Sequence, residues 1–270
     1  MVNDAGARPI RRAVERAVGR PVRRGLSVAA VVAVGFAGLT ALYWVTHSSE
    51  TVTLSESITR VEVTVASGRV QIVGSQNGET SLGFSARSGW MRDGGIEDAV
   101  SGSTLTVTGG CDSGVFLGLW CQSDVTITVP ADAVVVAEVS AGTLSVSGLH
   151  AEAVLESSAG DVQVTDHHGP ITAHSAAGSV DLNGVDGSVV KATSSAGPVY
   201  VSATSAPTSL DAESSAGDVT VEVPDDVRYD VETDSSIGDA RVEVPTVSGA
   251  RHEIRAFSSA GSVLVTGIRQ

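Results

Sequence analysis

Four carboxylates near the C-terminus have the residue type and spacing to hold a hard cation. When the chain is aligned on a recurrent Ser-Ala-Gly word, Asp211 and Glu232 share the position six before the glycine. Glu213 and Asp234 share the position four before it. Carboxylate oxygens on neighbouring repeats suit Ca²⁺. The same residues read equally as a plain acidic, solvated face, with Arg255 in the Asp211 column to neutralise part of it. The spacing does not match the nonapeptide that winds around Ca²⁺ in β-rolls. His150 and His168 form a second candidate, each eight residues after its glycine, with His167 alongside and Asp186 in the same column. Two imidazoles and a carboxylate are suitable Zn²⁺ ligands, and the alternative is a solvated turn. No catalytic constellation accompanies either group: there is no GxSxG, HExxH, P-loop or strand-borne GxGxxG. SVVK at 188–191 matches SxxK only in the middle of a repeat, with no SDN or KTG after it. The expectation is a protein without catalytic residues, firm metal ligands or cofactor.

The elements that must position these residues are set by the repeat. Its glycines are Gly142, Gly160, Gly178, Gly197, Gly217, Gly238 and Gly261, and an earlier copy aligns on Gly68. Seven and five residues before each glycine, and two and four after it, stand apolar residues such as Leu210, Ala212, Val219 and Val221, with polar residues between them. Alternation with a period of two on both sides of a turn predicts two short strands per copy, each with one face buried. Glycine accepts positive φ at the bend, and Ala and Ser are small enough to stack there. A second turn lies at the other end of each copy, as in TDHHGP at 165–170. Two strands and two turns per repeat predict an all-β fold, a β-solenoid stacked from two-strand rungs. An antiparallel sandwich with SSAG as a hairpin turn is the rival fold.

One stretch, about 75–132, loses the glycine frame and gathers aromatics in a chain that has few. Trp90, Phe116, Leu117 and Trp120 make it the candidate partner-contact region, exposing an apolar surface in GVFLGLW. The alternative is an irregular rung that caps the N-terminal end of the stack, since terminal repeats must hide an open sheet edge. Cys111 and Cys121 lie ten apart within it. Without further ligands at short spacing they read as a disulfide, and closing so short a loop would contribute roughly 2–3 kcal/mol.

Charge divides the chain. Residues 1–25 carry seven arginines against Asp4 and Glu15, a net of +5, and the chain after residue 46 has a net of −19. Between them residues 26–46, LSVAAVVAVGFAGLTALYWVT, carry no charge. Twenty-one residues at about 1.5 Å each span ~31 Å, the thickness of a bilayer core. The flanking arginines would hold the N-terminus in the cytoplasm. The organisation expected is a basic cytoplasmic segment (1–25), a transmembrane helix (26–46), a linker (47–60) and an extracytoplasmic solenoid (61–270). A cleaved signal peptide is the alternative, although the apolar run is longer than the usual signal core. A strongly acidic ectodomain excludes nucleic acid as a partner.

The SSAGDVxV words, the paired cysteines before a strand ending in Val129-Pro130, and the Pro-Asp-Asp…Tyr-Asp-Val run near 224–231 resemble the bacterial putative-adhesin family. The similarity covers about residues 55–268 and implies a β-solenoid at the bacterial surface, often behind a transmembrane segment, with no established catalytic residues. The resulting expectation is a single-pass cell-membrane protein, non-enzymatic, acting in adhesion or surface scaffolding toward a wall, surface or protein ligand. The alternative is an envelope-stress sensor or regulatory partner of another membrane protein. Self-association through the solenoid ends is a further expectation.

Overall fold

The computed structural model describes residues 47–54, 57–87, 94–111 and 122–269. Among them every regular element is a strand, and no helix is long and apolar enough to cross a membrane. The expected transmembrane segment 26–46 lies outside the described residues. So do Trp90, Phe116, Leu117, Trp120 and Cys121; Cys111 ends a strand, but its side chain and the expected disulfide are likewise outside them.

In chain order the first strands are β1 (His47–Leu54), β2 (Arg60–Ser75), β3 (Thr80–Arg87), β4 (Gly94–Ser101), β5 (Thr104–Cys111), β6 (Gln122–Pro130) and β7 (Val134–Ser147). The repeats then supply pairs of strands either side of each glycine: β8 (Ala153–Ala159) and β9 (Val162–His167), β10 (Ile171–Ser175) and β11 (Val180–Val185), β12 (Val189–Ser194) and β13 (Val199–Ala203), and β14 (Ser209–Ser214) and β15 (Val219–Pro224). The last two pairs are β16 (Tyr229–Ser235) with β17 (Ala240–Glu243), and β18 (His252–Ser258) with β19 (Val263–Ile268).

Strands before the glycine pair in parallel with one another, and so do strands after it, which is the solenoid and not the sandwich. The register reproduces the sequence columns. Ala173 pairs with Leu155 and Ala192, and Val201 with Leu182 and Val221. Their side chains meet inside the stack, where Leu155, Leu182, Leu210 and Ile254 are completely buried. Aliphatic residues fill this interior because stacked parallel strands present the same position to the core again and again.

Glycine recurs because nothing else fits. Gly160 has φ 140°, and a Cβ there would collide with the carbonyl oxygen of Gly142; Gly217 is related to Gly197 in the same way. In the copies after Gly160 the inward serine three before the glycine donates its hydroxyl hydrogen to the glycine carbonyl of the adjoining rung, as Ser194 Oγ to Gly178 and Ser214 Oγ to Gly197, both at 2.9 Å. The aspartate that follows glycine also reaches across a rung. Asp161 Oδ1 accepts the Ser179 N–H at 2.8 Å and its hydroxyl at 2.7 Å, and Asp218 Oδ1 accepts the Ser262 N–H at 2.7 Å. The SSAGD word is therefore a set of inter-rung contacts.

At both ends the stacking order departs from chain order. β18 and β19 lie between β14–β15 and β16–β17, so the rung at 252–268 is internal and that at 229–243 is outermost. The polar balance accounts for the choice. The inner rung buries Ile254, Ala256, Val263 and Val265, whereas the outer one places Thr233 and Ala240 at matching positions. At the other end β2 lies between β7 and a rung made of β5 and β6. Leu105, Val107, Val125 and Ile127 stand opposite Val61, Val63, Val70 and Ile72, so the stretch that lost the glycine frame contains a rung in full register. Its short turn is replaced by residues 112–121. β3 and β4 pair antiparallel with β6 and β5, and β1 with β3. Residues 47–54, expected as linker, are thus strand.

Candidate functional site

The interior offers little opening, so the candidate surface is lateral. Along the Ser-Ala-Gly bend runs an open groove of about 450 Å³. Its floor is the column four before the glycine, His174, Thr193, Glu213, Phe257 and Asp234, and one wall is formed by the exposed second serines such as Ser195 and Ser215. His174 Nδ1 and the Thr193 hydroxyl are hydrogen-bonded at 2.9 Å. The groove presents hydroxyls, two carboxylates, the His174 imidazole and the Phe257 ring.

The four carboxylates expected on neighbouring rungs are not neighbours. The 252–268 rung separates them, placing Arg255 between Asp211 and Glu232 and Phe257 between Glu213 and Asp234. Arg255 Nε lies 3.5 Å from Glu232 Oε2, Lys191 Nζ lies 3.9 Å from Asp211 Oδ2, and the Arg255 guanidinium lies 5.7 Å from the centre of the Phe257 ring. Lys191, Asp211, Arg255 and Glu232 therefore form a column of alternating sign, which removes the adjacency on which a Ca²⁺ site was read. Among the described residues no group of three or more His, Cys, Asp or Glu side chains is arranged to hold a metal ion.

The histidine column does stack. His150 Nδ1 is 3.5 Å from Asp132 Oδ1, the His150 and His168 rings meet edge to face at 5.1 Å, and His168 Nδ1 is 3.5 Å from Asp186 Oδ2. The Ser205 hydroxyl donates to Asp186. That bond, with His168 assisting, holds the Asp186 carboxyl below the usual carboxylate range. This ladder of exposed partners spans successive turns and leaves His150 and His168 side by side in solvent.

His167 departs from the solvated turn expected for it. It is completely buried, in the slot that Leu149 and Val185 fill on the adjoining rungs. Nε2–H donates to the Pro170 carbonyl at 3.2 Å, and Nδ1 is buried without a partner. Burial pushes its pKa down, the Pro170 carbonyl opposing this in part. The column could have revealed it, since the neighbouring copies place Leu149 and Val185 there. Tyr229 was equally unmarked as a core residue. It is fully buried, donates its hydroxyl to the Pro224 carbonyl at 2.8 Å, and has its pKa pushed up to about 12 by burial and by Asp226 and Asp225. It ties the corner where the chain passes over one rung position.

Residues 155–266 match the Toastrack DUF4097 family model. No curated protein matches the chain. Among solved structures, a putative adhesin from Bacteroides fragilis is 15% identical, over 82% of this chain and 97% of that one, with a TM-score of 0.49. A putative cell adhesion protein from Clostridium sporogenes is 12% identical over 82% and 100%, with a TM-score of 0.37. A putative adhesin from Parabacteroides merdae is 11% identical over 82% and 96%, with a TM-score of 0.30.

Proposed function

We propose that this chain, whose residues 155–266 match the Toastrack DUF4097 family model, is a non-enzymatic cell-envelope protein acting in adhesion or surface scaffolding. Residues 26–46 anchor it in the membrane, and the solenoid stands on the outer side. The observation that carries this reading is the closed aliphatic interior, with Val135, Leu155, Leu182 and Val221 all completely buried. Such a core leaves the lateral surface, with its serine and carboxylate columns and its groove, as the place for contact. Repetition of the same groups rung after rung suits many weak contacts with a repetitive surface.

The test is co-sedimentation of the full chain, in detergent micelles, with isolated bacterial cell walls. Saturable pelleting is expected. It should be strengthened by Ca²⁺, because a net charge of −19 after residue 46 otherwise repels polyanionic wall polymers. Deleting residues 112–120 should leave pelleting largely intact. Loss of binding on that deletion would favour a single-loop protein contact, and no pelleting under any salt condition would defeat wall adhesion.

A further inference from the structure

The outermost rung, β16 and β17, ends the stack with its pairing capacity unspent. In the inner rungs the residue seven before the glycine donates its N–H to the next rung, Val135 to the Glu152 carbonyl and Ala153 to the Pro170 carbonyl, both at 3.0 Å. The residue two after the glycine does the same, Val219 to Ser262 and Val263 to Asp239, both at 2.8 Å. Val231 and Ala240 hold these two positions in the outermost rung, and among the described residues no strand lies beyond them. The loop after β17 covers only the start of the edge: the Tyr229 N–H donates to the Pro245 carbonyl at 3.0 Å, and the Val247 N–H to the Tyr229 carbonyl at 2.9 Å.

Apolar surface is left open beside this edge. Three of the four large exposed aliphatics among the described residues lie here: Ile237 at 73%, Val247 at 45% and Val242 at 37%. The outward side of β16 carries Glu232 and Asp234, both exposed. Glu232 ends the column Lys191, Asp211, Arg255, Glu232, whose alternation calls for a cation in the next place.

We propose that this edge receives an extended strand from another polypeptide, with apolar residues alternating with arginine or lysine, added beyond β16. The strand's amides would take the free backbone groups, its apolar side chains would cover Val231 and Val242, and its cations would face Glu232 and Asp234. A second copy does not fit. Its own edge would set Glu232 and Asp234 against the same carboxylates, and like charges directly opposite are destabilising. The edge at its other end, formed by β1 and β4, carries the exposed Glu97 and Asp98 and is acidic as well. The basic segment 1–25 of this chain, RRAVERAVGR at its centre, lacks the strict alternation required. The surface is distinct from the lateral groove, so it stands whether or not the chain adheres to walls.

The experiment is fluorescence anisotropy of labelled nonapeptides with the full chain in detergent micelles at physiological salt. An alternating Val/Arg peptide should bind at least tenfold more tightly than the same residues scrambled, than its copy N-methylated at alternate amides, or than an alternating Val/Glu peptide. The double variant E232K/D234K should reverse the preference between the Arg and Glu peptides. The N-methylated comparison needs no variant and separates strand pairing from charge attraction. Absence of binding, or equal binding of the scrambled or methylated peptide, would overturn the proposal. So would tighter binding of a peptide copying residues 8–24, or a homodimer that the Val/Arg peptide displaces.

Discussion

At one end of the stack Ile127 is completely buried, while at the other Val242, four residues after its glycine and so in the same column, is 37% exposed. Both are aliphatic residues on parallel strands of one solenoid, and both face inward. What differs is the layer beyond. β3 and β4 run antiparallel across the outer edges of β6 and β5, and Leu82 is buried with them. Beyond β16 and β17 the described residues place only the short loop at 244–250. Alternation assigns a side chain to a face, but burial requires another layer, and a repeat cannot supply the layer past its own last copy. Among the described residues the β5–β6 rung has a further strand layer beyond it, and the β16–β17 rung has none.

The largest test of this contrast is truncation in that shared column. Ile127→Ala should destabilise the fold by about 2–5 kcal/mol, as for a fully buried aliphatic. Val242→Ala should cost less than about 1 kcal/mol, as for a largely exposed one. Urea unfolding of the two variants decides it, and equal losses would mean that the 229–243 rung is covered after all. Next in size is Gly160→Ala, in the interior between the two ends. Its Cβ would meet the Gly142 carbonyl at a φ of 140°, so a loss of at least about 2 kcal/mol is expected in the same assay. Gly238→Ala meets the Gly261 carbonyl in the same manner, but its rung has no neighbour outside and can shift, so its loss should be smaller. Similar losses at both sites would break the contrast.

The smallest effect concerns pH and the interior alone. His167 is buried neutral, its folded pKa lowered by burial, whereas the unfolded imidazole titrates near ~6.5. On acidification the unfolded chain takes up the proton first. The stability that neutral His167 contributes is thus full above about pH 6.5 and is lost as pH falls through its lowered folded value. The melting temperature should fall between pH 7.5 and 5.0 in the wild type, and fall less in His167→Leu. An unchanged pH response in that variant would place the titration elsewhere.

Much of this architecture was legible in the residues. The columns through Leu155, Ala173 and Ala192, or through Val164, Leu182 and Val201, gave the strands, their inward faces and their register, since identical positions stack in a parallel solenoid. His150, His168 and Asp186 were placed together for the same reason. The β5–β6 rung was obscured because its tight glycine turn gives way to residues 112–121, which removes the word used for alignment and leaves the strands on either side intact. His167 was misread because a histidine beside other histidines looks solvated, although its column is aliphatic.

The sequence by itself determined what a repeat rung is: two strands, a glycine bend between them, and an aliphatic face turned inward. These depend on contacts between like positions, which any order of stacking would satisfy. The tertiary structure alone decided which rung lies beside which. That order separated Asp211 from Glu232 by Arg255, and put Ile254 inside and Val231 at the rim. Near-identical repeats offer nearly equal pairing partners. Small differences in apolar content and the reach of the connecting loops settle the order, and both act only once the whole stack is assembled.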